Sequence, residues 1–164
     1  MNHQDVTAEL AKPISVELLD SAVPARFAYT GRDGDPRVVP VGFHWTGSEI
    51  LVFTVPTAAK VAALRENPRV AITIDTEGFP PRALLVRGAV TVDVVDGVPD
   101  EYVAGAYKLI TDEDQRAAWE QGVRALYAQM ARITITPDWA KLLDFETTIP
   151  KAVADLVAAH GDPR

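Results

Sequence analysis

The chain has no cysteine and only three histidines, His3, His44 and His160, among 164 residues. The first absence excludes a disulfide framework, a thiolate nucleophile and any Cys-ligated zinc or iron–sulfur centre. The second means that a His-based metal site would have to draw its ligands from remote parts of the chain, so no metal site is expected. Positive charge is scarce as well, with 16 Lys and Arg against 23 Asp and Glu and a net charge of −7. No global field favours nucleic acid or an anionic membrane, so any basic pocket must be local. No apolar run approaches the roughly 20 residues that span a bilayer as a helix. The opening residues MNHQDVTAEL carry acids rather than the apolar block of a secretory signal, and the expected address is the cytoplasm.

What the chain does have is regular punctuation. Gly, Pro and Asp clusters separate short β-branched runs, with no low-complexity linker between them, so residues 1–164 are expected to form one domain. Residues 14–23 carry Val16, Leu19 and Val23 at helical spacing and end at Pro24. Residues 26–30 and 37–45 read as strands joined through Gly31-Arg32-Asp33-Gly34-Asp35-Pro36, a hairpin turn. A turn at Thr46-Gly47-Ser48-Glu49 leads into a strand at 50–55. Residues 58–66 predict a helix that Thr57 is able to cap and Asn67-Pro68 stops. Residues 69–75 alternate cleanly as a half-buried strand, and 83–95 form a long strand whose Gly88 marks a bulge or bend.

Two helices are predicted next, one from Pro99 to Ile110 and one opening at Thr111-Asp112-Glu113-Asp114, where Trp119, Val123, Leu126 and Met130 fall on a single core-facing stripe. Strands at 131–136 and 142–146, interrupted by Pro137-Asp138-Trp139, and a terminal helix over 151–160 complete the chain. Tight turns between the early strands predict a mainly antiparallel sheet. About six long strands close most economically into a small barrel, so the fold class is mostly β (α+β) with peripheral helices.

Phe53-Thr54-Val55-Pro56-Thr57-Ala58-Ala59-Lys60 runs off a strand into a helix N-terminus. Free amides, the positive end of the helix dipole and the Lys60 ammonium suit an anion such as phosphate, and Thr54 and Thr57 add hydroxyl donors. The plain alternative is a capped helix with an exposed lysine. Arg37 opens a strand in which Pro40 cannot donate to a ladder, leaving nearby backbone groups free for a flat heterocycle. Arg82 and Arg87 are further cations, His44 reads as structural, and the acids at 112–114 read as a helix start. Hydrolase, nucleotide-binding P-loop and Rossmann motifs are missing.

The ordered series Gly34-Asp35-Pro36-Arg37-Val38-Val39-Pro40-Val41, Leu51-Val52-Phe53-Thr54, Lys60-Val61, Leu64, Asn67-Pro68-Arg69-Val70 and Pro81-Arg82-Ala83-Leu84-Leu85-Val86-Arg87-Gly88-Ala89-Val90 resembles the pyridoxamine 5′-phosphate oxidase-like flavin-binding split-barrel superfamily. The likeness spans about residues 15–150, and the segment from Trp139 to Phe145 is similar to the closing part of actinobacterial members. It implies a six-stranded antiparallel split β-barrel and a homodimer with two cofactor sites at the subunit interface. By the same resemblance, Arg37 and Lys60 clamp a cofactor phosphate, while Val38, Val39, Pro40 and Val41 line the ring. Phe53 and Thr54 contact ring or ribityl groups, Arg82 and Ala83 add a ring contact, and Trp139 reaches in from the second subunit.

Two features depart from that pattern. Ala58-Ala59 stands where many members have a basic or hydroxyl residue before the Lys, and the C-terminal Trp- and Arg-containing signature of true pyridoxamine phosphate oxidases is missing. The implied activity is therefore not vitamin B6 oxidation but hydride transfer between FMN, or the 8-hydroxy-5-deazaflavin coenzyme, and a small organic substrate. With the hard chemistry carried by the cofactor, no catalytic acid or base need stand out. The competing expectations are a non-catalytic carrier of flavin, deazaflavin, haem or another tetrapyrrole, and a dimer whose pocket binds nothing.

Overall fold

A computed structural model describes residues 1–160. Two short helices, α1 (His3–Leu10) and α2 (Pro13–Asp20), precede the sheet. Strand β1 (Ala25–Thr30) turns through Gly34, whose φ of 85° suits glycine, into β2 (Pro36–Val41). Gly31 N–H donates to the Asp35 carbonyl at 2.8 Å and closes this hairpin. After Gly42-Phe43 the chain resumes as β3 (His44–Trp45), turns back into β4 (Ile50–Thr54), and enters helix α3 (Ala59–Glu66). Then come β5 (Arg69–Asp75), the long β6 (Ala83–Asp96), helices α4 (Asp100–Tyr107) and α5 (Glu113–Leu126), the equally long β7 (Gln129–Leu143), and α6 (Lys151–His160).

The sheet order is β2-β1-β5-β6-β7-β4-β3, with every pairing antiparallel. Its two edge strands, β2 and β3, are consecutive pieces of one run separated by two residues. The sheet must therefore curl until its edges nearly meet, which is the geometry of a split barrel. The expected strand over 37–45 is thus two strands, and the count is seven rather than six, because the backbone leaves the ladder at Gly42 and Phe43. The barrel interior is filled by Phe27, Ile50, Ile72, Ile74, Leu84, Ile133 and Ile135, all nearly inaccessible to solvent. Leu18 and Leu19 from α2 and Leu64 from α3 join the same cluster.

Gly88 does mark a bulge. The β6–β7 register steps from Arg87 opposite Trp139 to Gly88 opposite Pro137, so Asp138 is the extra residue. This bulge explains why Pro137 does not end the strand as the sequence suggested, since a bulge tolerates a residue that cannot donate to the ladder. A Cβ on Gly88 would stand 2.5 Å from the Thr136 carbonyl oxygen, so only glycine fits.

Other differences are local. Residues 3–10, for which the sequence pattern predicts no element, form α1 under an Asn2 cap whose side chain accepts from Asp5 N–H at 2.8 Å. Helix α5 ends at Leu126, which is 70% exposed, and Met130 reaches the interior from β7 instead. Pairing of Asp96 with Gln129 starts the β6–β7 ladder there, and strand bonding replaces the helical stripe. The last strand stops at Leu143, where buried Asp144 accepts from the N–H groups of Glu146, Thr147 and Thr148 and from the Thr147 hydroxyl. Helix α6 forms as expected, but among the described residues nothing covers its Val153, Leu156 and Val157. No described helix is long and apolar enough to cross a membrane.

Two stability measurements test this account. Gly88→Ala should destabilise the fold by about 2–3 kcal/mol in urea unfolding, because backbone rather than a flexible side chain stands in the way. Asp144 is held well below the ordinary carboxylate range, first by the Thr147 hydroxyl and then by three amides. A depressed folded-state value contributes stability above the unfolded value of about 3.9, and that contribution is lost as pH falls through the folded value. The melting temperature should therefore drop on acidification below about pH 4, and Asp144→Asn should flatten that drop while lowering stability at neutral pH.

Candidate functional site

The site is built where β4 hands over to α3. Helix α3 starts with Ala58 as its cap residue, and no side chain satisfies its first amides. Thr57, the capping residue expected from the sequence, is exposed and makes no cap bond. Val61 N–H donates to the Ala58 carbonyl at 2.9 Å, while the Ala59 and Lys60 N–H groups at the very start of the helix have no side-chain partner. The dipole of α3 therefore ends on an uncapped, positively polarised terminus.

Lys60 stands in this first turn, half-buried, and among the described residues it has no carboxylate partner. Burial alone pushes its ammonium below the usual lysine range. A desolvated cation without a counter-charge costs stability.

Lys60 opens into a cavity of about 610 Å³. One wall is Pro40 and Val41 from the end of β2, with Phe43 and His44 beyond them, and the floor is Phe53 of β4. The opposite wall comes from the α4–α5 hairpin inserted between the two long strands, with Glu101 and Tyr102 on α4 and Trp119 on α5. Phe53 meets Tyr102 edge-on at 6.0 Å between ring centroids, Tyr102 lies 5.7 Å from Trp119, and Tyr107 backs Trp119 at 6.4 Å. Burial pushes the Tyr102 phenol up, and Tyr127 adds to that shift. Helix α4 approaches closely because Gly105 has no side chain: a Cβ there would sit 3.1 Å from the Phe43 carbonyl oxygen.

Of the residues singled out from the sequence, the structure brings Pro40, Val41, Phe53 and Lys60 into this one cavity. Arg37 lines a neighbouring hollow of about 370 Å³ with Ala59, Ala62 and Ala63 of α3, and its guanidinium is paired with Asp33. The two cations thus flank the start of α3 from different sides. Val38 is 64% exposed on the edge strand, and Val39 packs against the core. Thr54 pairs with Ala131 at the end of the β4–β7 ladder. Arg82 is tied to Glu17 at 3.1 Å, and Ala83 is held in the ladder between Asp75 and Leu143. Trp139 lies on β7 under the Arg87 guanidinium, 4.3 Å from its ring centroid.

The sequence reading missed the far wall. Trp119 read as core, His44 as structural, and Glu101 and Tyr102 carried no motif. The available signal was the insertion of two aromatic-bearing helices between the two longest strands. Among the described residues no group of three or more metal-ligating side chains converges.

Comparison with known proteins gives one family match. The family described as pyridoxamine 5′-phosphate oxidase matches residues 15–145. Among solved structures, the chain is similar to the conserved hypothetical protein Rv2991 from Mycobacterium tuberculosis, at 15% identity and a TM-score of 0.60, over 89% of this chain and 86% of that one. It is similar to an F420 reductase at 25% identity and a TM-score of 0.56, over 76% of this chain and 94% of that one. It also shares its fold with the haem storage protein HutZ from Vibrio cholerae, at 15% identity and a TM-score of 0.55, over 81% and 93%. Comparison with curated protein sequences finds no match.

The energetic reading of Lys60 predicts an unusual mutant. Because U binds more protons than N between the lowered and ordinary lysine values, Lys60 opposes folding at neutral pH, and the penalty eases as pH rises. Lys60→Met should leave the ligand-free protein as stable as the parent or up to about 1 kcal/mol more stable in urea unfolding at pH 7. A clear destabilisation would show that Lys60 is held by the fold itself.

Proposed function

The chain belongs to the pyridoxamine 5′-phosphate oxidase family, and from that premise we propose that it is a cytoplasmic, homodimeric oxidoreductase that binds FMN or the 8-hydroxy-5-deazaflavin coenzyme. The observation that carries the reading is Lys60, a desolvated cation without a counter-ion on the first turn of an uncapped helix, opening onto a cavity large enough for a ring system. Both cofactors present a phosphate and a flat tricycle, and the donor set suits both features. The α3 amides and Lys60 offer charge-assisted bonds to the phosphate, with Arg37 on the other flank of the same helix start. Ala58 and Ala59 keep that approach free of bulk. Pro40, Val41 and Phe53 give the ring an apolar wall. The similarity to an F420 reductase at 25% identity supports the deazaflavin arm.

When bound, such a cofactor supplies hydride transfer to or from a small organic molecule. The chain's own residues would bind, orient and exclude water: Lys60 would hold the phosphate, Pro40, Val41 and Phe53 would pack against the ring, and the α4–α5 hairpin would limit access of water to the cavity. Lowering the local dielectric in this way strengthens each polar contact inside. The homodimer is part of the same reading, with Val38 on the exposed edge strand and Trp139 on the outer sheet as surfaces offered to a second copy.

Titration of purified protein with FMN and with the deazaflavin coenzyme, followed by ring fluorescence anisotropy, tests the proposal. One cofactor should bind, and Lys60→Ala should weaken it about tenfold to a hundredfold, as expected for loss of a charge-assisted bond to phosphate. Absence of binding by either would sink the oxidoreductase reading. Binding without turnover of any donor or acceptor would leave a carrier.

A further inference from the structure

The cavity lining combines two kinds of chemistry from different elements. Helix α3 contributes Lys60. The α4–α5 hairpin contributes Tyr102 and Trp119 together with Glu101, and Phe53 of β4 meets the Tyr102 ring. Among the described residues Glu101 has no ion-pair partner, whereas its neighbour Asp100 is taken by Arg124 at 2.7 Å. The remaining polar side chain of the lining is His44, on the β3 side. With Lys60 committed to a cofactor phosphate, the one carboxylate of the recess has nothing in the protein to balance it, and the whole chain is acidic.

We propose that the recess formed by Tyr102, Trp119, Phe53 and Glu101 is the substrate subsite, and that it selects a planar ring carrying positive charge or an N–H donor while rejecting carboxylates and phosphates. The proposal rests on the cofactor reading only in assigning Lys60 to an anion. The physical case is twofold. Aromatic faces attract a cation through their quadrupole and stack on any flat ring, and an unpartnered carboxylate adds a directed charge that an anionic substrate must oppose. The position of the rings is also fixed independently of a ligand. Tyr107 donates to Glu120, the Arg116 guanidinium lies 5.0 Å from the Tyr107 ring centroid, and Arg124 bonds both Glu120 and the Val98 carbonyl. The hairpin thus holds its aromatic row by its own network.

Three two-ring probes of matched size separate the outcomes by isothermal titration calorimetry: 1-methylquinolinium as cation, 2-naphthol as neutral ring and 2-naphthoate as anion. Two forms are used, the cofactor-loaded protein and cofactor-free Lys60→Ala, in which the competing cation is gone. The cation should bind about tenfold tighter than the anion in both. Glu101→Gln should reduce the cation to the affinity of the neutral ring, and Tyr102→Leu should weaken all three probes. Should Tyr102→Leu fail to fold, Glu101→Gln, a near-isosteric change, still decides. Naphthoate binding as tightly as the cation, an order unchanged by Glu101→Gln, or no probe binding to Lys60→Ala would each overturn the proposal. If the cation order appears in Lys60→Ala while neither cofactor binds the parent, the recess stands and the cofactor reading falls. If cofactor binds and no cation preference appears, only the recess is lost.

Discussion

The structure depends on a single chain run that supplies both edges of the sheet. Residues 36–45 leave β2 at one edge and, after Gly42-Phe43, become β3 at the other. A two-residue span cannot bridge an open seven-stranded sheet, so closure is forced by connectivity as well as by the twist of the strands. Everything at the site follows from that closure. It brings the end of β2 beside the end of β4, places Pro40 and Val41 across from Phe53, and leaves helix α3 to start at the barrel's end, where its first turn meets the cavity. The same two linking residues receive α4, whose Gly105 allows it to approach the Phe43 carbonyl.

The barrel therefore meets its own stability requirements separately from those of the site. Its interior is apolar and closed, and the Gly88–Pro137 bulge, the Asp144 turn and the Asn2 and Asp112 caps satisfy backbone groups where the ladders and helices end. The start of α3 shares its missing side-chain cap with α2 and α4, and what sets it apart is that a half-buried lysine without an ion-pair partner among the described residues stands in its first turn and lines the cavity. A polarised helix terminus and a desolvated cation at one cavity are the combination on which the proposed anion site rests.

The sheet was legible in the sequence because its signals are local. Alternation over 69–75, the Gly-Asp turn at 31–36 and the glycine inside a long β-branched run each specify their own geometry, and the structure follows them at β5, the β1–β2 hairpin and the bulge. What failed to show had non-local causes. Pro137 reads as a breaker unless one knows that Gly88 stands opposite, and Met130 continues a helical stripe unless one knows that Gln129 pairs with Asp96. Half of the cavity was legible for the same reason: Pro40, Val41, Phe53 and Lys60 sit in runs with recognisable order, while Glu101, Tyr102 and Trp119 come from an inserted hairpin whose residues have no motif and acquire meaning only by landing on the barrel's end.

That division between legible and illegible has a physical counterpart in how the two walls are held. The β2 and β4 wall is fixed by ladder bonds and by burial in the main core, so its shape is set when the barrel forms. The α4–α5 wall rests on a separate, smaller cluster of Val98, Val103 and Met130, with Tyr102, Tyr107 and Trp119 only partly buried against it. A wall with less buried apolar surface opens at lower free energy than the body it covers. On the proposed function, substitutions on the hairpin would reach the recess first, whereas substitutions on β2 or β4 would also reach the wall assigned to the cofactor. The proposed anion site would then sit on elements fixed by the barrel core, and the adjustable chemistry on the element whose position depends least on it.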